Sequence, residues 1–187
     1  PLFSHLYLNQ GRVYQDKDRY LGPKMKFAHL ADCHIGSWRD PKLKDTSTIA
    51  FQRAADKCIE ENVDFVIISG DLFNTSLPRI DNLKDAVSTF KKLNEQDIPI
   101  YIIPGSHDYS PSGKTMLDVL ETAGLFINVV KGEEIDGKIK LKFTIDKKTG
   151  AKITGMLGKR YSLEKEYYKN LILEPLEQED GYKIFMF

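Results

Sequence analysis

From residue 25 onward, short apolar runs alternate with stretches whose apolar positions recur every three or four residues. "KFAHLA" (26–31), "DFVIIS" (64–69), "IPIYII" (98–103) and "LFINVV" (125–130) are the runs. Continuous apolar segments of this length read as strands buried on both faces of a sheet. Between them, "TIAFQRAADKCIEEN" (48–62) places Ala50, Phe51, Ala54, Ala55, Cys58 and Ile59 at helical spacing. "DNLKDAVSTFKKLNEQ" (81–96) does the same with Leu83, Ala86, Val87, Phe90 and Leu93, and Asp81 or Asn82 offers an N-cap. "TMLDVLETAG" (115–124) is a shorter helix closed by Gly124. Alternation of strand and helix predicts an α/β fold around a parallel sheet.

After about residue 131 the period changes. "KIKLKFTI" (138–145) alternates strictly, with Ile139, Leu141, Phe143 and Ile145 on one face. "DKKTG" (146–150) is a turn and "AKITGML" (151–157) answers it, which predicts an antiparallel hairpin with one wet face. A short helix is expected near 162–172, and "YKIFMF" (182–187) reads as a further strand. Residues 1–24 have no clean period and are read as an extension outside the core, with the domain proper opening at Met25 and running to 187.

Composition narrows the classes. The 187 residues carry 27 Lys+Arg and 27 Asp+Glu, so no net charge draws the whole chain to nucleic acid or an anionic membrane. No apolar stretch approaches the roughly 20 residues of a membrane span, and no membrane partner is expected. Cys33 and Cys58 show no disulfide framework and are expected as free thiols in a reducing cytoplasm.

The candidate chemistry sits where strands end. "LADCHIG" (30–36) brings Asp32 and His34, "ISGDLF" (68–73) brings Asp71, and "IPGSHDY" (103–109) brings His107 and Asp108. In parallel α/β sheets ligands bind beyond the carboxyl ends of the strands, so these segments aim carboxylates and imidazoles at one place. If the extended conformation continues past the first strand, Asp32 and His34 share a face and Cys33 points away. Gly70 and Gly105 have the small size needed where backbone turns tightly beside a ligand. Mixed oxygen and nitrogen donors suit manganese, iron or zinc better than calcium. A lone Asp after a strand is usually a helix cap, and His29 reads as a satisfied core residue. Three such segments, 39 residues apart (Asp32 to Asp71) and then 36 (Asp71 to His107), are harder to dismiss.

"DCH", "GDLF" and "GSHD" resemble the D-x-H, G-D-x-x and G-N-H-[DE] signature of the calcineurin-like metallophosphoesterases. "MKFAHLADCHIG", "NVDFVIISGDLFNTSLP" and "IPIYIIPGSHD" are similar, within that family, to the archaeal double-strand-break repair exonucleases of the Mre-eleven/SbcD branch. The likeness is good over about 25–130 and loose over the hairpin. It implies a four-layer αββα sandwich, present here as its N-terminal portion, and two divalent metal ions, manganese in this branch. By resemblance Asp32 and His34 hold the first ion and Asp71 bridges both. His107 stabilises the pentacovalent state or protonates the leaving oxygen, and Asp108 orients it. The ions would neutralise the phosphodiester, acidify a bound water and aim it in line.

Two departures stand out. Ser106 replaces the family's asparagine ligand to the second ion; its hydroxyl is a neutral oxygen of shorter reach, and it reads either as a tolerated variant that holds the ion weakly or through a water, or as a site that has drifted. The family also needs three further histidines, and this chain's four, His5, His29, His34 and His107, fill none of those roles. "KIFMF" is the kind of strand that precedes the first of them, so the chain is expected to be a fragment truncated at the C-terminal end of its domain and inactive by itself.

The resemblance also implies DNA, an SMC-like repair ATPase of the Rad/SbcC type, and a homodimer through helices 81–96 and 114–123, with Leu83 and Val119 at the contact. Lys138, Lys140, Lys142, Lys147, Lys148 and Lys152 either meet DNA phosphates or form a solvated face. Trp38 stacks on a base or covers the core. Besides a DNA exonuclease or endonuclease in break repair, two readings stay open: a small-molecule phosphodiesterase or phosphatase of the same fold, and a non-catalytic relative.

Overall fold

A computed structural model describes residues 7–10, 25–110, 113, 115–158, 168–178 and 180–187. Its main sheet has the order β1-β2-β3-β4-β5, with β1 at Tyr7–Gln10, β2 at Lys26–Ala31, β3 at Phe65–Ser69, β4 at Ile100–Ile103 and β5 at Ile127–Asn128. β2 to β5 run parallel, and β1 joins the free edge of β2 antiparallel, Tyr7 opposite His29. Helices α1 (Thr46–Glu60), α2 (Ile80–Asn94) and α3 (Met116–Thr122) connect the parallel strands. This is the α/β alternation expected from the pattern.

Each face of the sheet carries its own apolar core. On one, Ala28, Leu30, Val66, Ile68, Ile100 and Ile102 meet Phe51, Ala55 and Cys58 of α1 and Ala86, Phe90 and Leu93 of α2. Phe51 and Phe126 each meet Phe90 edge-on at 5.7 Å; burying each such ring is worth about 1.5–3 kcal/mol. On the other face, Phe27 stacks on Phe65 at 5.1 Å, and Tyr101 and Ile103 join them. These residues pack on a second sheet of order β10-β9-β8, with β8 at Thr144–Ile145, β9 at Lys152–Gly155 and β10 at Lys183–Met186. A Cβ on Gly155 would lie 2.6 Å from the Ile103 side chain, so the sheets meet as closely as they do only because that position is glycine. Helix, sheet and second sheet supply three of the four expected layers.

Several local expectations are corrected. The single hairpin expected over 138–157 is split. β7 (Lys138–Leu141) pairs instead with β6 (Gly132–Ile135), because Asp136 and Gly137 both take positive φ, 50° and 75°, as a two-residue hairpin turn requires. Only Thr144 and Ile145 remain to pair with β9. α2 begins at Ile80 with Arg79 in the cap position, so neither Asp81 nor Asn82 caps it. α3 starts with a capping box between Thr115 and Asp118 and is closed by Gly124 at φ +73°. The fourth strand is two residues long, its exit fixed by the Asn128 side chain accepting from the Val130 N–H. Most of the helix expected near 162–172 lies outside the described residues; a five-residue helix, α4, follows at Glu174–Gln178. Both cysteines are free and buried, as expected.

Candidate metal centre

β2, β3 and β4 all end at the same edge of the sheet, and each hands its chain to a loop that carries candidate ligands. Asp32, His34 and Asp71 have φ of 52°, 43° and 48°. Non-glycine residues in this left-handed region cost about 1–3 kcal/mol each and gather where function holds them. The extended continuation that would put Asp32 and His34 on one face is therefore overturned: β2 stops at Ala31. The cause is non-local. The His34 N–H donates to the Asp71 carbonyl at 2.9 Å and the Ile35 N–H to the Leu72 carbonyl at 3.0 Å, so the two loops zip together beyond the strands.

That zipper brings the side chains into range. His34 Nε2 stands 3.8 Å from Asp32 Oδ1 and 3.7 Å from Asp71 Oδ2. These gaps are too wide for hydrogen bonds. They do fit two donor atoms each about 2.1 Å from one ion. His34 Nδ1 is buried without a hydrogen-bond partner among the described residues, so the ring is not committed to another protein group. Donor atoms of His34, Asp71 and His107 lie within 4.8 Å of one another. Asp32, with its side chain 73% exposed, forms the open rim. Oxygen and imidazole donors at this spacing suit a divalent transition metal.

His107 is set from two sides. Its backbone N–H donates to Asp71 Oδ1 at 2.8 Å, and its Nδ1–H donates to the Asn74 carbonyl at 2.9 Å. The ring then meets His34 edge-on, centroids 4.9 Å apart, and Nε2 is left for a ligand. Asp108, expected to orient this ring, bonds backbone groups of both loops. Asp108 is 1% exposed, and its carboxylate accepts the N–H groups of Leu72, Phe73 and Gly105 at 3.2, 3.1 and 3.0 Å. It ties the Asp71 loop to the His107 loop, and the imidazole takes its direction from Asn74, a backbone carbonyl that no sequence signal marks. Burial pushes the Asp108 carboxyl up, and the three N–H donors offset part of that rise.

Gly70 and Gly105 serve loop against loop. A Cβ on Gly105 would lie 2.2 Å from Asp71 Oδ1, and Gly70, at φ +78°, lies against Gly105. Any side chain at 105 would displace the bridging candidate. Ser106 occupies the turn just before His107 and is half-buried. Cys33 is buried, and its thiol is pushed up to about 12 by burial and by the Asp108 and Asp32 carboxylates. The lysine cluster is dispersed by the split hairpin. Lys142 pairs with Glu133, and Lys148 pairs with Asp64, at the strand end opposite the candidate centre.

Carboxylate and imidazole donors on three strand-end loops of a parallel sheet make a group that could hold a divalent metal ion. The family model for calcineurin-like phosphoesterases matches residues 25–186, and the chain belongs to that family. The DNA double-strand break repair protein Mre11 of Archaeoglobus fulgidus is 37% identical over 120 residues, 60% of this chain and 27% of that protein. Its namesake in Methanococcus maripaludis is 41% identical over 91 residues, 47% of this chain and 24% of that protein. The matches span about a quarter of the length of these relatives. A solved structure, the nuclease MPE of Pseudomonas putida, is 19% identical with a TM-score of 0.42 over 69% of this chain and 60% of that one. That likeness is too loose to carry argument. No helix among the described residues is long and apolar enough to cross a membrane.

Proposed function

We propose that this chain carries part of a two-metal phosphodiesterase centre acting on DNA in double-strand-break repair. The observation that carries the reading is His34 Nε2, held 3.7–3.8 Å from two carboxylates that it does not hydrogen-bond. Asp32 and His34 would hold the first ion, Asp71 would bridge to the second, and Ser106 would hold the second weakly or through a water. Manganese suits this donor set. Divalent ions bound there supply charge neutralisation of a phosphodiester and acidification of a water.

The chain's own groups supply the rest. With Nδ1–H fixed on the Asn74 carbonyl, the imidazolium form of His107 presents an Nε2–H to a phosphoryl or leaving oxygen. Asp108 keeps the Asp71 and His107 loops in register. Asp71 is immobilised through one oxygen by the His107 N–H, which leaves the other free to ligate. The relatives' name supports DNA as the substrate class. An SMC-like repair ATPase and a homodimer through the α2 and α3 faces belong to the same reading. Two carboxylates, one ligating imidazole and a serine leave both ions short of protein donors, so the chain alone should bind metal weakly and hydrolyse DNA poorly.

Manganese calorimetry on the chain and on Asp71→Asn tests the centre. Weak binding that disappears in the variant is expected. Equal binding in both would remove Asp71 from the centre and with it the two-metal reading.

A further inference from the structure

Eight consecutive residues beyond the first site loop, Trp38 to Asp45, are exposed. Backbone hydrogen bonds hold the two residues just before this segment and its second half. The Gly36 N–H donates to Ser47 Oγ at 3.2 Å, the Ser37 N–H to the His34 carbonyl at 3.0 Å, and the Lys44 N–H to the Asp40 carbonyl at 2.8 Å. The Asn82 side chain presses so closely on Gly36 that a Cβ there would collide with it. Between these held points a large aromatic ring, Trp38, is 38% exposed, four residues from His34. Tyr109, two residues after His107, is 54% exposed. Both rings leave loops of the metal centre.

The cations of this loop stand apart from carboxylates. Lys26, Lys57, Lys92, Lys142 and Lys148 each have a carboxylate partner. Among the described residues Arg39, Lys42 and Lys44 have none at ion-pair distance, and an Asp40 oxygen is taken by the Lys42 N–H. An exposed aromatic beside unpaired cations is the combination that grips a single polynucleotide strand: the base stacks and the phosphates pair. In a duplex the base faces are covered, so the occupant is an unpaired nucleotide.

We propose that Trp38, with Tyr109 as the second ring, is a stacking platform for an unpaired nucleobase of the polynucleotide whose phosphodiester enters the metal centre, with Arg39, Lys42 and Lys44 tracking its backbone. This rests on the phosphodiesterase reading and names the form of substrate. It sets a strand end or frayed strand above a small phosphodiester, which has no base to stack.

Trp38 is the sole tryptophan of the chain, so its fluorescence reports the contact directly. The titrants are a short single-stranded DNA, an abasic strand of equal length and inorganic polyphosphate, all in chelator so that no hydrolysis occurs. The base-containing strand should quench Trp38 and bind about tenfold tighter than the abasic one, since stacking is worth about 1–3 kcal/mol per base. Trp38→Phe should keep most of that affinity, and Trp38→Ala should lose about tenfold with an unchanged circular dichroism spectrum. Neutralising Arg39, Lys42 and Lys44 together should reduce the single-strand salt slope by about two. Equal binding of the abasic and normal strands overturns the proposal, as does a folded Trp38→Ala that binds like the parent. If Trp38→Ala unfolds, the abasic comparison on the parent chain still decides it. Manganese binding that persists undiminished in Asp71→Asn counts against the phosphodiesterase reading alone, because the strand binding is measured without metal.

Discussion

The Asp108 carboxylate accepts the Phe73 N–H at 3.1 Å, 35 residues away in sequence. Backbone dipoles, those of Leu72, Phe73 and Gly105, stabilise this buried carboxylate, and among the described residues it makes no ion pair. An asparagine keeps one acceptor oxygen and turns an NH2 toward donors that cannot receive it. Asp108→Asn is expected to cost about 1–3 kcal/mol. Because the two site loops would lose register, it should also weaken manganese binding although Asp108 is no ligand. Urea unfolding and calorimetry on one preparation check both, and a variant as stable as the parent would show that the tie is dispensable.

The same tie shows which parts of the centre were legible in the sequence. The strand ends were legible because continuous apolar runs stop at Ala31, Ser69 and Ile103, and the acids and imidazoles follow at once. The left-handed turns at Asp32, His34 and Asp71 were not. They arise from pairing between loops 36 or more residues apart, which no local period encodes. Asn74 was invisible because its contribution is a carbonyl, identical in every residue type. The Asp136–Gly137 pair is a turn signal that the strict alternation over 138–145 hides. A two-residue positive-φ turn fixes register, whereas alternation only names a face.

Ser106 lies half-buried in the turn before His107. Its hydroxyl is a neutral oxygen donor on a single carbon, shorter than an asparagine amide. If it is a weak second-ion ligand, Ser106→Asn should tighten the second manganese event by about tenfold, on the order of 1.4 kcal/mol, and leave the first unchanged. Calorimetry resolves the two events. An unchanged second event would leave the serine as a turn residue only.

Glu61, at the end of α1, accepts from the Lys26 side chain at the start of β2 and pairs with Lys57. Hydrogen bonding to Lys26, then to Lys57, lowers its carboxyl to about 2 from an ordinary 4.5. For an acid whose folded value is depressed, the stabilising contribution is complete above about pH 4.5 and is lost as pH falls toward 2. Solvent screening makes the effect small and salt-sensitive. Glu61→Gln should therefore lower the melting temperature slightly at neutral pH, and the gap should close between pH 4.5 and 2. Thermal melts across that range in low and high salt are the check; a gap independent of pH would assign the loss to packing.

Val119 is 57% exposed on α3, whereas Leu83 on α2 is half-buried against the domain's own core. The helices therefore divide the work expected of them. Leu83 already supports the fold, and Val119, with Ile80 and Leu77 also exposed nearby in sequence to α2, offers apolar surface that no described residue covers. The Met116 N–H donates to the Ser76 carbonyl, which brings the start of α3 to the segment just ahead of α2, so these residues can form one patch. Such a patch, flanked by charged residues, suits a second copy of the same chain. Val119→Asp would place a charge in that contact and disturb little else, giving a folded monomer. Leu83→Asp would also strike the core and lower stability by roughly 1–3 kcal/mol. Sizing with light scattering, paired with circular dichroism, separates the cases. A Val119→Asp protein that remains a folded dimer would place the interface elsewhere, and a parent that is monomeric at every concentration would remove the dimer altogether.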